Sequence, residues 1–517
     1  MSGVAGFLPA DGELPDGLIT HDQQELLRIL YSPDDEARPL FEAWQARVDM
    51  ADLDNGCYRL YPYLYRRIAG FAPDHHFLGR LKGLFRRSLY RNHMLFQWAR
   101  EILERLDGAG IPCIVLKGAA LVGSIGFSVG FRPMADVDLL VRPSDARRAM
   151  QVADPLFQRI LDDPVATAAY IQLRHGASVM DDRRLEIDLH WRIGDVWATG
   201  ADPDAPFWET ARAIDLHGAR ALSLAPTELL YHVVVHGLSW NADPSVRWIS
   251  DSLDLLGAEA TPVDWPRLVA LARHYRQRAT VRVGLAYLRH RFAAAVPEAV
   301  LAALGPPYDA MEAADFRQEM QEWSTPVDMA DVALLAPARI EIMRRRLPTT
   351  RRLVVLLPDR MATPGTMAWI RGIGADHVCE FPSEGPVMDA VRRRILETEQ
   401  WRRGFHGRPG AIFRVDGVPG LPATIEGPVY VRMWLRDDKW RMRIFATSLA
   451  DWPVGAGVLR LDSVVGFRKP SLLGRDDAVP TPCLPAWPGF PQGAIPAQPS
   501  PAATAAVRPT AGLPDRS

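Results

Sequence analysis

Apolar positions in the first part of the chain recur at helical spacing. Leu26, Leu27 and Leu30 share one face, as do Leu95, Trp98, Ile102 and Leu106, so residues 20–110 are expected as helices. After Gly108-Ala109-Gly110 the pattern changes to a short apolar run, residues 111–116, of strand length. Lys117-Gly118 then turns the chain into a helix expected from about residue 119. A second strand is expected over 137–141, after the turn residues Gly130, Arg132 and Pro133. A helix follows over 144–161, with Ser144 as its N-cap. Residues 177–180 and 185–193 read as two strands joined by Asp181-Asp182-Arg183-Arg184. From Thr227 to about residue 303 the pattern is helical again, with Leu229, Leu230, Val233 and Val234 on the apolar side.

Beyond Gly305-Pro306-Pro307 the character shifts. Strands are expected over 353–357 and 377–381, and helices over 366–371 and 386–400. Val429, Val431, Met433 and Leu435 alternate, Asp437-Asp438 forms a turn, and Trp440, Met442 and Ile444 return as a hairpin. From about residue 470 the chain is rich in Pro and Ala and is expected to be disordered. The expected organisation is a loose leader (1–19), a mixed α+β domain with helical flanks (20–303), a connection (304–350), an α/β and hairpin region (351–470) and the tail (471–517). Residues 353–399 loosely resemble the latter half of a receiver-type domain, without its acidic phosphoacceptor cluster.

Composition narrows the classes. The chain has 517 residues, 48% of them hydrophobic, which allows a sizeable core, and a net charge of −2, which argues against a general nucleic-acid binder. The basic stretch Arg80, Lys82, Arg86, Arg87 and Arg91 reads as a solvated helix face. Cys57, Cys113, Cys379 and Cys483 form no C-x-x-C pair, so neither a zinc site nor a disulfide framework is expected. Asp11, Glu13 and Asp16 near the start do not suit a signal peptide, and no run of about 18 apolar residues could cross a membrane. A cytoplasmic protein is expected.

The chemistry concentrates in Asp136-Val137-Asp138. Strand alternation projects both aspartates from one face while Val137 enters the core. Two carboxylates side by side repel, and Mg²⁺ (or Mn²⁺) with its hard oxygen ligands can join them to the phosphates of a nucleotide. In LEIDLHW (185–191), Glu186, Asp188 and His190 share a face, which supplies a third carboxylate for a second metal or for proton transfer. Gly118 at a strand-to-helix turn lets a phosphate approach the backbone, and Lys117 can offer a positive charge.

The runs IPCIVLKGAAL (111–121), GFRPMADVDLLV (130–141) and LEIDLHW (185–191) resemble the bacterial nucleotidyltransferase family within the DNA polymerase beta-like superfamily. RLYPYLY (59–65), LAPTELL (224–230), His236 and the segment from Arg247 to Asp251 resemble it too, so the likeness covers roughly residues 20–300. The resemblance implies a small mixed sheet flanked by helices. It implies Asp136, Asp138 and Asp188 as catalytic metal ligands, with Lys117, Gly118 and Arg132 on the nucleotide side. Ala119 departs from the usual Gly or Ser after the turn glycine, so a serine contact to phosphate is missing there. For His236 and Asp251 the resemblance hints at a role near the substrates, whereas the residues alone read as a core histidine and a helix-surface charge.

The expected reaction transfers a nucleoside monophosphate from an NTP, ATP first among them, to a hydroxyl of a small molecule or of a protein or peptide. Two other classes stay open: a metal-dependent glycosyltransferase, which also uses D-x-D, and a degenerate transferase acting as a binding partner. Nucleotide binding with and without Mg²⁺ separates the last from the others.

Overall fold

Side-chain caps start two of the helices that surround the sheet. The Thr20 hydroxyl accepts the Gln23 backbone N–H, and the Gln23 side chain returns to the Thr20 N–H, opening α1 (His21–Tyr31). Asp54 accepts the Cys57 N–H at 2.8 Å and opens α3 (Asn55–Phe71). Between them runs α2 (Asp34–Arg47), and after them the long α4 (Phe77–Gly108). The apolar rows face inward as their spacing requires, with Leu26, Leu27, Leu95, Ile102 and Leu106 fully buried.

This computed structural model describes residues 8–320 except 16–17, 51–53, 127, 159–170, 172–174, 194–201, 203, 239–245 and 259–261. Beyond these it describes 334–335 and, as backbone, a set of strands between residues 352 and 460.

The first strand is shorter than expected. β1 spans only Ile114–Val115, since Pro112 has no N–H to give a ladder. The following helix, α5 (Lys117–Ile125), begins earlier than expected, with Leu116 extended and Lys117 at φ 51° in the left-handed region. β2 covers Asp136–Leu140. The helix expected over 144–161 is broken into α6 (Ala146–Ala153) and α7 (Pro155–Gln158), because Pro155 forces Asp154 into an extended conformation. Ser144 is not the cap; Asp145 takes that position without a side-chain bond.

β3 (Gly176–Met180) and β4 (Glu186–His190) form the expected hairpin. Asp181 closes its turn by accepting the N–H groups of Arg183 and Leu185, both at 2.9 Å. A second hairpin, β5 (Arg212–Leu216) and β6 (Ala219–Ser223), was not expected. Its turn uses His217 and Gly218, both at positive φ (52° and 89°), the geometry of a tight primed turn that a His-Gly pair signals poorly. The sheet order is β3-β4-β2-β1-β6-β5. The β2–β4 and β1–β6 pairs are parallel and the rest antiparallel, so the sheet is mixed and the class is α+β.

A short helix α8 (Ala205–Glu209), which was not expected, precedes the β5–β6 hairpin; α9 (Pro226–Leu238), α10 (Arg247–Gly257), α11 (Trp265–His274), α12 (Arg278–Phe292) and α13 (Glu298–Leu304) make up the expected helical part. The core does not stop at residue 303. In the segment expected as a connection, α14 (Ala310–Met320) buries Phe316 and Met320 in the same hydrophobic cluster. Nor is the leader wholly loose: Leu8 and Leu14 pack on that cluster, Asp11 accepts two hydrogen bonds from Arg282, and Arg291 donates to the Gly12 carbonyl.

In the C-terminal part, β7 (Arg352–Pro358) and β8 (His377–Phe381) pair in parallel, joined on the other edge of β7 by β12 (Ala456–Arg460), which was not expected. β10 (Val429–Arg436) and β11 (Lys439–Thr447) form the expected hairpin with Val431 opposite Ile444 and Met433 opposite Met442, and β9 (Ile412–Val415) adds a further strand. The helices expected over 366–371 and 386–400 and the tail lie outside the described residues. Among the described residues no helix is long and apolar enough to cross a membrane.

Glu312 fixes α14 to the rest. It is 2% exposed and accepts the Arg278 backbone N–H and guanidinium, each at 2.7 Å. Glu312→Ala leaves the half-buried Arg278 without its carboxylate partner, so the full chain should lose about 3 kcal/mol in urea unfolding. A loss below about 1 kcal/mol would mean that α14 is not a docked part of the core.

Candidate active site

The parallel register of β2 and β4 puts Asp136 beside Glu186, Asp138 beside Asp188 and Leu140 beside His190. On the far side of β4, Ser178 of β3 stands opposite Asp188 and Gly176 opposite His190. Val137, Leu139, Ile187 and Leu189 point the other way and are buried, which anchors both strands. Four carboxylates therefore share one sheet face. On the other side of β2, the Leu116 N–H donates to the Asp138 carbonyl at 3.0 Å, so the Lys117-Gly118 turn starts directly alongside the aspartate pair.

Asp138 is the centre. It is 3% exposed, and its Oδ1 accepts from Lys117 Nζ at 2.7 Å and lies 2.9 Å from His190 Nε2. Burial works against its charge, but Lys117 and His190 outweigh it and hold the carboxyl well below the usual range. The neighbours go the other way. Burial and then the Asp138 charge push Asp136 up, and burial and then Asp136 push Glu186 up. Asp188 is driven to about 8 by burial and then by Asp138, Asp136 and Glu186, and its Oδ1 is buried without a hydrogen-bond partner. His190, kept down by burial, leaves its Nδ1 without a partner too. Asp138, Asp188 and His190 each offer one ligand atom, all within 4.8 Å of one another. An unpartnered buried oxygen beside convergent carboxylates fits a hard divalent cation.

The residues expected on the nucleotide side divide. Lys117 is engaged with Asp138. Arg132 is buried, and its Nε and Nη2 donate to Asp251 Oδ1 and Oδ2 at 2.6 and 2.7 Å. Gly118 is the residue against which that guanidinium lies: a Cβ there would stand 1.8 Å from Arg132 Nη1. Asp251 is thus not a helix-surface charge but a buried partner, 3% exposed. His236 is not a core histidine; it is solvent-accessible, and the positive charge of Lys117, with desolvation, holds it below the usual imidazole range.

Other residues hold the turn that leads into the aspartate strand, a role not expected of them from sequence. Arg91, expected on a solvated basic face, donates to the carbonyls of Met134, Ala135 and Arg184, just before Asp136 and β4. Asn92 donates to the Arg132 carbonyl and accepts the Met134 N–H. Arg247 donates to the Pro133 carbonyl at 2.7 Å, while its buried Nε has no partner. Backbone contacts of this kind have no spacing signature. His190 shares a face with Glu186 and Asp188 by alternation, as expected, but no ligand role follows from the sequence alone.

Asp188 makes stability depend on pH. Its folded pKa of about 8 lies far above the ordinary carboxylate value, so the folded chain holds a proton that the unfolded chain releases. Stability therefore falls as pH rises from about 4 to 8 and is level above that window. Asp188→Asn removes the burden: in a chelator, its melting advantage over the parent should grow across that window to about 2 kcal/mol, allowing for solvent screening. A difference that stays constant with pH would show that Asp188 is ionised without strain.

Residues 56–293 match the model of a family described as "Uncharacterised nucleotidyltransferase". No curated protein matches the chain. Among solved structures, the chain is 14% identical to the antibiotic-resistance factor ANT(2'')-Ia over 35% of this chain and 92% of that one, with a TM-score of 0.23. It is 13% identical to an antigenic nucleotidyltransferase-like protein from Paracoccidioides brasiliensis over 41% of this chain and 91% of that one, with a TM-score of 0.24. The matched residues 56–293 include the two carboxylate strands and the Lys117-Gly118 turn, so this part of the chain is similar to a nucleotidyltransferase family.

Proposed function

We propose that this protein moves a nucleoside monophosphate from an NTP, ATP first among them, to a hydroxyl of a small molecule or of a protein or peptide. The observation that carries the reading is the register that sets Asp136 and Asp138 beside Glu186 and Asp188, with Lys117-Gly118 at the edge of the same strand. Asp136, Asp138 and Asp188 would hold Mg²⁺ (or Mn²⁺), with His190 close enough to Asp138 and Asp188 to join them. Such an ion, when bound, neutralises phosphate charge and acidifies a hydroxyl.

The chain's own groups divide the remaining work. The Gly118 turn lies beside the aspartates, and Lys117 and Arg247 supply the positive charge that a triphosphate needs nearby. The acceptor oxygen forms a bond to the α-phosphorus as the bond to pyrophosphate breaks, and the hydroxyl proton passes to the unpartnered Oδ1 of Asp188. Free, buried Cys57 and Cys113 support a reducing, cytoplasmic setting.

The test uses α-labelled and γ-labelled NTPs in separate reactions, with Mg²⁺ and a cell extract as acceptor source. Label should pass to an acceptor from the α position only, with pyrophosphate released, and Asp138→Asn should abolish it while the fold persists. Transfer from the γ position would make the protein a kinase and sink the reading.

A further inference from the structure

We infer that Asp251 is a positioning residue for the transfer reaction, acting through Arg132 to hold the Lys117-Gly118 turn and the Asp136-Asp138 strand in one fixed relation. The inference rests on the reading proposed above.

Arg132 lies in the turn that feeds β2. Its backbone is fixed from two helices: Asn92 of α4 donates to the Arg132 carbonyl at 2.8 Å and accepts the Met134 N–H at 3.1 Å, and Arg247 of α10 donates to the Pro133 carbonyl. Its guanidinium is fixed by Asp251, also of α10, through the two-bond fork described above. Gly118 has no side chain, and the plane of Arg132 fills that space, with Nη1, Cζ and Nε at 1.8, 2.4 and 3.0 Å from where a Cβ would stand. One planar group therefore touches the phosphate-side turn, belongs to the chain segment that enters the aspartate strand, and takes its orientation from a helix outside the sheet.

Stability alone does not account for the pair. A buried ion pair is a poor stabiliser, because desolvation consumes most of the attraction, and apolar residues of similar volume do as well. What apolar residues lack is direction: the fork sets the guanidinium plane, and a lysine in its place would keep the charge but not the plane. Displacement of the turn relative to the aspartates by a fraction of an ångström separates phosphate from carboxylates, and such misplacement is costly in rate.

The experiment measures transfer of α-label, from the NTP that the parent chain uses, into a fixed amount of cell extract, together with thermal melting. Gly118→Ala and Asp251→Asn should each slow transfer by about tenfold or more. Combined, they should be little worse than the slower single variant, because both release the same guanidinium. Arg132→Met with Asp251→Leu should melt near the parent yet remain slow. If that apolar pair restores both melting and rate, the ion pair is filler and the inference is wrong. Arg132→Lys guards against poor folding of the others: folded, it should transfer at a reduced rate, and a parental rate overturns the inference. Asp138→Asn separates the two levels. If it stays active, the proposed reaction at this site fails; if it is dead while Asp251→Asn is at parental rate, only the positioning role fails.

Discussion

Repulsion among carboxylates organises this site. Asp136, Asp138, Glu186 and Asp188 stand on two adjacent parallel strands, and the register between those strands sets them side by side. One of the four is relieved by Lys117 and His190, and the other three shift toward protonation. The arrangement persists because Val137, Leu139, Ile187 and Leu189 on the opposite face are buried and would be exposed by a slip of one residue. Apolar burial on one side of the sheet thus maintains electrostatic repulsion on the other, which a divalent cation is suited to relieve.

Much of this was legible in the sequence because the relevant periodicity is short. Alternation over Asp136 to Asp138 and over Glu186 to His190 needs only a few residues to be read, and both strands lie where alternation puts them. The side-by-side alignment of the strands is a further step, supplied by family resemblance rather than by pattern. Less visible were features set by tertiary contact. Asp251 sits on an amphipathic helix, where a charge ordinarily faces water, and only the arrival of Arg132 from 119 positions earlier makes it internal. The β5–β6 hairpin lacks strong alternation, with Arg212, Ala213 and Asp215 all exposed on the outer strand. The domain edge near residue 303 followed Gly-Pro-Pro punctuation, which is a sound turn signal but says nothing of whether the next helix returns to the core.

The helices are more than a jacket. Arg91 and Asn92 on α4 and Arg247 and Asp251 on α10 converge on the backbone and side chain of residues 132–135. This turn would otherwise be a loop whose carbonyls bond water. Instead its polar groups are satisfied by side chains that the helices deliver, which lends the aspartate strand the rigidity of the helical layer.

The Arg132–Asp251 pair also bears on the order in which the site can be made. Synthesis proceeds from the N-terminus, so the strands carrying all four carboxylates leave the ribosome well before α10 does. During that interval the guanidinium has no internal partner and stays in water, and the turn around Gly118 has nothing to rest against. Tyr31 waits similarly, since its hydroxyl reaches the Ser250 carbonyl and Asp254 on the same late helix. Emergence of one helix closes both contacts at once. A nascent chain therefore carries its acidic strands before the helix that orients Arg132 has been made.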